Sequence, residues 1–88
     1  MNSVATADFW ACYEALPDSV KRSARAAYRL WRDNPLHPGL HFKPIAAAGE
    51  ALYSVRIGLH WRALGTRDGD DMIWFWIGSH ADYDRMVG

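Results

Sequence analysis

The sequence is short of the devices that hold many small proteins together from outside the core. It contains a single cysteine, Cys12, so no disulfide can form within its 88 residues, which fits a reducing compartment. Cys12 falls on an apolar helix face, where it reads as a small buried hydrophobe and not a nucleophile. No apolar run approaches the roughly 18–20 residues of a membrane-spanning helix. The opening MNSVATADFW lacks the basic and apolar segments of a secretory leader. Neither charge is in excess: ten basic residues balance ten acidic ones, so any affinity for nucleic acid must come from local patches. There is no glycine-rich phosphate loop. His37 and His41 are four apart but flank Pro38-Gly39 in a loop, and no Cys or carboxylate joins them at metal-ligand spacing. These absences lead to the expectation of a cytoplasmic protein with no membrane contact, no metal and no cofactor.

What is present is apolar and aromatic. Half of the residues are hydrophobic and five are Trp, enough for one domain over residues 1–88 with one core. The chain is organised around residues 71–87, where the apolar run 72–77 stops at Gly78. That run predicts a central strand, with Met72, Trp74 and Trp76 on one face and Ile73, Phe75 and Ile77 on the other. Ser79 and Asp82 resemble a capping box, which places His80 in the first turn of a short C-terminal helix. Free N–H groups there favour an anion.

Upstream, Phe9, Tyr13 and Leu16 recur at helical spacing behind Thr6, a suitable N-cap, and the helix must end before Pro17. A second helix spans 18–33, with Val20, Ala24, Ala27 and Trp31 as its buried stripe and Asn34-Pro35 closing it. Lys21, Arg22, Arg25, Arg29 and Arg32 crowd its remaining surface, either as a solvated face or as a docking surface for an acidic partner or phosphates. Residues 34–40 are a loop, 40–45 an edge strand limited by Pro44, and 46–50 a soft connection. Residues 51–57 alternate, with Tyr53, Val55 and Ile57 inward and Ser54 and Arg56 outward; 60–66 return with Trp61 and Ala63 opposite Arg62 and Leu64. Arg67 to Asp70 carries the Asp-Gly turn signal ahead of the last strand. The predicted fold class is α+β: a two-helix N-terminal hairpin on one face of a small antiparallel meander, a short C-terminal helix, and an optional strand at residues 3–5.

One face of so small a sheet stays partly open, and it carries the chemistry. Arg56 and Arg62 stand on neighbouring strands near the turn that holds His80, with Lys43 on the strand before. Guanidinium groups grip a phosphate and a nearby imidazole moves a proton, so this set suits phosphodiester cleavage. The alternative is that the arginines pair with Glu50, Asp70 or Asp71. Tyr83, one turn after Ser79, either packs on the sheet or touches substrate; Trp74 and Trp76 either fill a core or interface or stack on bases. Asp82 is the nearest carboxylate in sequence to serve as general base.

The helix at 20–33, NPLHPGLHFKPI at 34–45, LYSVRIGLHWRAL at 52–64 and WFWIGSHADYDRM at 74–86 together resemble toxins of the RelE/ParE superfamily from bacterial type II toxin–antitoxin systems. The resemblance implies a compact domain of two N-terminal helices on an antiparallel sheet, neutralised by a cognate antitoxin. RelE-like members are endoribonucleases that cut messenger RNA in the ribosomal A site, with the RNA 2′-hydroxyl as nucleophile, whereas ParE-like members poison DNA gyrase. Arg62 matches the family arginine that follows an aromatic, Arg56 falls where the nucleases often carry a basic residue, and His80 occupies the turn where several place a catalytic histidine or arginine. Ser54 stands where the nucleases commonly have a second lysine. Three classes stay open: an RNA-cleaving toxin, a gyrase-binding toxin, and an interaction module without toxicity.

Overall fold

The computed structural model describes residues 1–45 and 51–87; the connection expected at 46–50 lies outside them. The chain runs β1 (Asn2–Ala5), α1 (Ala7–Glu14), α2 (Asp18–Asp33), a 3₁₀ turn (Pro38–Leu40), β2 (Lys43–Pro44), β3 (Leu52–Ile57), β4 (Trp61–Asp68), β5 (Asp71–Ser79) and α3 (His80–Val87). Thr6 caps α1 as its spacing predicts, its hydroxyl accepting the Phe9 N–H at 3.2 Å. Pro17 opens α2, and its carbonyl accepts the Val20 and Lys21 N–H groups. Asn34, held extended before Pro35, closes it.

The five strands lie in the order β1-β5-β4-β3-β2. β2 to β5 form the expected antiparallel meander. The N-terminal strand is present and runs parallel to β5, so the sheet is mixed; the connection between the two includes the helix hairpin and the strands β2 to β4, ample for the crossover a parallel pair requires. β5 lies inside the sheet with β1 and β4 on its two sides, as expected of a central strand at residues 71–77, and β4 holds the middle position. The strand expected over 40–45 shrinks to two residues. Leu40 ends the 3₁₀ turn and His41 adopts a left-handed backbone, φ 47°, which breaks the extended path before Pro44 withholds its donor.

The helices cover the face that carries Val55, Ile57, Ala63, Met72, Trp74 and Ile77. Val20, Ala24 and Trp31 are the buried stripe of α2, with Ala27 packed beside them. Trp31 is the hub: its ring meets Trp74 at 5.4 Å and Phe42 at 5.8 Å, both edge-on.

The two-face assignment read for β5 fails in one place. Gly65 faces Trp74 and Leu64 faces Trp76, so Phe75 is an extra residue in a β-bulge. The bulge reverses the face pattern, which puts Ile77 with Met72 and Trp74 in the core and leaves Trp76 and Gly78 on the opposite face beside Leu64 and Arg62. That opposite face was expected to be partly open. Its middle is instead closed, since Leu64 and Ser54 are only 1% and 3% exposed.

Candidate functional site

A three-residue turn joins β3 to β4, with Gly58 taking the left-handed φ of +60° that the reversal needs. The register it sets makes Arg56 and Arg62 direct cross-strand partners on the face away from the helices. Like charges so placed repel. Each guanidinium is held separately. Arg56 Nε donates to the Gly58 carbonyl at 2.8 Å, and its Nη1 lies 3.3 Å from His41 Nε2. Arg62 lies over the Tyr83 ring at 5.8 Å, and its Nη1 is buried with no partner among the described residues. No carboxylate pairs with either arginine among the described residues: Asp71 accepts from Asn2 instead, and Glu50 lies outside them. A buried, unpaired guanidinium nitrogen is costly, and a bound anion would relieve that cost.

His80 begins α3 at the same end of the sheet. Its backbone N–H donates to the His60 carbonyl at 2.6 Å, which pins the helix start to the β3–β4 turn. Half of the expected capping box forms: the Ser79 hydroxyl accepts the Asp82 N–H at 3.1 Å. The Asp82 side chain does not reach back but engages Arg85, so the carboxylate expected to serve as general base is held in an ion pair. The carboxylate at the imidazole is Asp84, 3.0 Å from His80 Nδ1 and one helical turn on. Tyr83 bridges the parts, its ring 5.9 Å from the His80 ring and beneath Arg62. Lys43 pairs in register with Ser54 at the sheet edge, exposed on the face that carries Arg56.

The tryptophans divide. Trp74 is core, 6% exposed. Trp76 lies on the outer face with its ring over Gly78, where a Cβ would come within 2.5 Å of the indole; Gly78 is the cross-strand partner of Arg62. The Trp76 ring therefore lies over the strand position that pairs with Arg62.

Arg56, Arg62, His80 and Tyr83 thus come together, Lys43 stands one strand out, and Asp82 is turned away. Two residues escaped the sequence reading. Asp84 had a signal, its i,i+4 spacing from His80. His41 had none, because only the register brings the loop before β2 to Arg56. The assembled groups are two cations without carboxylate partners among the described residues, an imidazole fixed by a carboxylate, and two nearby aromatics. Such a set holds a phosphate and moves a proton next to it.

A helix pair over one face of a small meander, with a cationic end on the other, is the architecture of RelE/ParE-type toxins. The ParE-like toxin domain model matches residues 18–85, and the chain belongs to this family. In fold it is similar to YafQ from Escherichia coli strain BL21(DE3), with a TM-score of 0.73 at 12% identity over 93% of this chain and 96% of that one. It is similar also to the YoeB/ParE toxin from Agrobacterium tumefaciens, at 0.68 and 19% over 91% and 99%. A conserved hypothetical protein from Helicobacter pylori matches at 0.69 and 16% over 92% and 96%. No curated protein matches the sequence significantly.

Proposed function

We propose that this toxin-family chain cleaves RNA at the cluster of Arg56, Arg62 and His80 and is neutralised by a cognate antitoxin. The observation that carries the reading is the cross-strand arginine pair, with the Arg62 Nη1 buried and unpartnered among the described residues. A scissile phosphate supplies the oxygens those donors lack. Arg56 and Arg62 hold it and stabilise the charge that grows on its non-bridging oxygens, a role in which one preorganised donor contributes about 3–4 kcal/mol. The RNA 2′-hydroxyl attacks phosphorus, losing its proton to water, and the bond to the 5′-oxygen breaks as His80 protonates that leaving oxygen. The products are a 2′,3′-cyclic phosphate and a 5′-hydroxyl. Asp84 fixes the imidazole through Nδ1, which leaves Nε2 for the transfer. Trp76 offers a stacking plane for a base next to the phosphate, and Lys43 and Tyr83 extend the contact to the substrate. Messenger RNA on the ribosome is the substrate this reading favours.

The balance of ten basic and ten acidic residues favours a second reading, a gyrase poison, which needs a binding surface but no acid. Inducible expression of wild type and His80→Ala, with mapping of RNA ends and a gyrase supercoiling assay, separates the two. RNA cleavage gives new RNA ends with wild type and none with the variant. Equal toxicity of both forms, with gyrase inhibited and no new ends, overturns it. A substrate with deoxyribose at the cleavage position binds and is not cut.

A further inference from the structure

His41 occupies a backbone position that suits glycine. It follows the 3₁₀ turn with φ 47° and ψ 42°, and among the described residues it is the one non-glycine residue with a positive φ. Its side chain is exposed, so burial does not offset that conformation. The neighbours impose it. Leu40 is 2% exposed, and the Phe42 ring lies 5.8 Å from Trp31 and 5.1 Å from Tyr53, so the chain is anchored on both sides of the reversal. What the histidine gains is a contact with the next strand. β2 and β3 pair with Lys43 opposite Ser54, and the same register carried two positions on brings residue 41 opposite residue 56. There Arg56 Nη1 lies 3.3 Å from His41 Nε2. Arginine only donates, so Nε2 accepts and the imidazole is the neutral form protonated on Nδ1.

We propose that His41 is a positioning residue that fixes the Arg56 guanidinium for the RNA cleavage proposed above, a reading on which this inference rests. Arg56 and Arg62 are cross-strand partners, so their charges push the two guanidinium groups apart. One hydrogen bond from Nε to the Gly58 carbonyl leaves the rest of the Arg56 fork free to turn. The second, from Nη1 to His41, fixes its plane and leaves Nη2 available to a phosphate oxygen. A guanidinium held before the substrate arrives stabilises the growing charge without reorganising. The left-handed backbone at residue 41 thus serves the site and not the stability of the fold.

The test uses the purified full chain and ribosomes programmed with a messenger RNA that wild type cuts. The same messenger with deoxyribose at the cleavage position is the binding probe. His41→Gly relieves the backbone and removes the acceptor, whereas His41→Gln keeps an acceptor at similar reach; Arg56→Ala and the double variant Arg56→Ala/His41→Gly complete a cycle. His41→Gly melts no lower than wild type, since glycine accepts a positive φ. It binds the probe within about 2-fold of wild type and cleaves roughly 10-fold more slowly in a single turnover. His41→Gln recovers most of that rate. The double variant cleaves at the rate of Arg56→Ala, because His41 acts through Arg56. A wild-type rate in His41→Gly overturns the inference and leaves the RNA reading standing. So does a double variant slower than Arg56→Ala, which gives the imidazole a role of its own, and so does a rate that falls only in step with a lower Tm. If wild type cuts no RNA, the cleavage reading fails and the role of His41 falls with it.

Discussion

Gly65 is the position where one added methyl group meets the most resistance. It faces the step at which β5 carries its extra residue. A Cβ there would lie 2.7 Å from Met72 Cε, 2.9 Å from the Ile73 carbonyl oxygen and 2.9 Å from Trp74 Cε3. Met72 is 0% exposed and Trp74 6%, so neither side chain has solvent to retreat into, and the carbonyl belongs to the paired strand. Gly65→Ala must spread β4 from β5, an overpacking that costs about 1–3 kcal/mol. With an unfolding entropy of about 2.1 cal/mol/K per residue, a domain of this length loses roughly 5–16 °C in Tm. Gly58→Ala is the control. Its φ of +60° opposes any side chain, but nothing lies within 4 Å of the new Cβ, so it costs about 1–2 kcal/mol through the backbone alone. Thermal unfolding followed by near-ultraviolet circular dichroism separates them: Gly65→Ala changes the Trp74 environment, and Gly58→Ala lowers Tm without changing the spectrum. A Gly65→Ala protein that melts within about 2 °C of wild type would refute the packing reasoning.

Trp31→Ala removes the hub of the aromatic core, 2% exposed, and should cost about 3–5 kcal/mol, read as a lower denaturant midpoint with little change in slope. Arg62→Ala should reduce RNA cleavage about 100- to 1000-fold, measured as single-turnover rates. An unchanged rate would remove Arg62 from the site. Asp84→Asn should lower the cleavage rate while leaving Tm nearly unchanged, because the carboxylate is 60% exposed. A fall in Tm with an unchanged rate would make the pair structural.

The helices, and the faces of β3 and β4, were legible because their periodicity is clean: Val20, Ala24 and Trp31 sit on one helical stripe, and Val55 and Ile57 alternate with Ser54 and Arg56. β5 was legible as a strand but not in its facing. Phe75 looks like any other apolar residue in the run, and nothing in its identity marks it as the bulge. The 40–45 strand was overread because His41 carries no sequence sign of a left-handed backbone. β1 was weakly marked by Ala and Ser, and its parallel pairing depends on residues far along the chain. Within the site, the outward arginines followed from alternation. Asp84 was passed over because the capping-box spacing from Ser79 points to Asp82, whereas the carboxylate that meets the imidazole lies four residues after His80. The unpartnered Nη1 of Arg62 needed the packed structure, since burial of a single atom has no one-dimensional signature.

The pairing of β1 with β5 joins residues about as distant as the chain allows: the Asn2 amide bonds the Asp71 side chain across 69 positions. Closing so large a loop carries an entropic cost that only the last strand can repay, so this edge assembles late in folding. During synthesis β1 emerges first and then waits, without a neighbour, until β5 has been made. The arginine cluster likewise needs the Trp76, Gly78 and α3 surroundings that β5 delivers. A chain that stops before β5 therefore has neither a partner for β1 nor the Tyr83 ring beneath Arg62, and both arrive together as the C-terminal quarter appears.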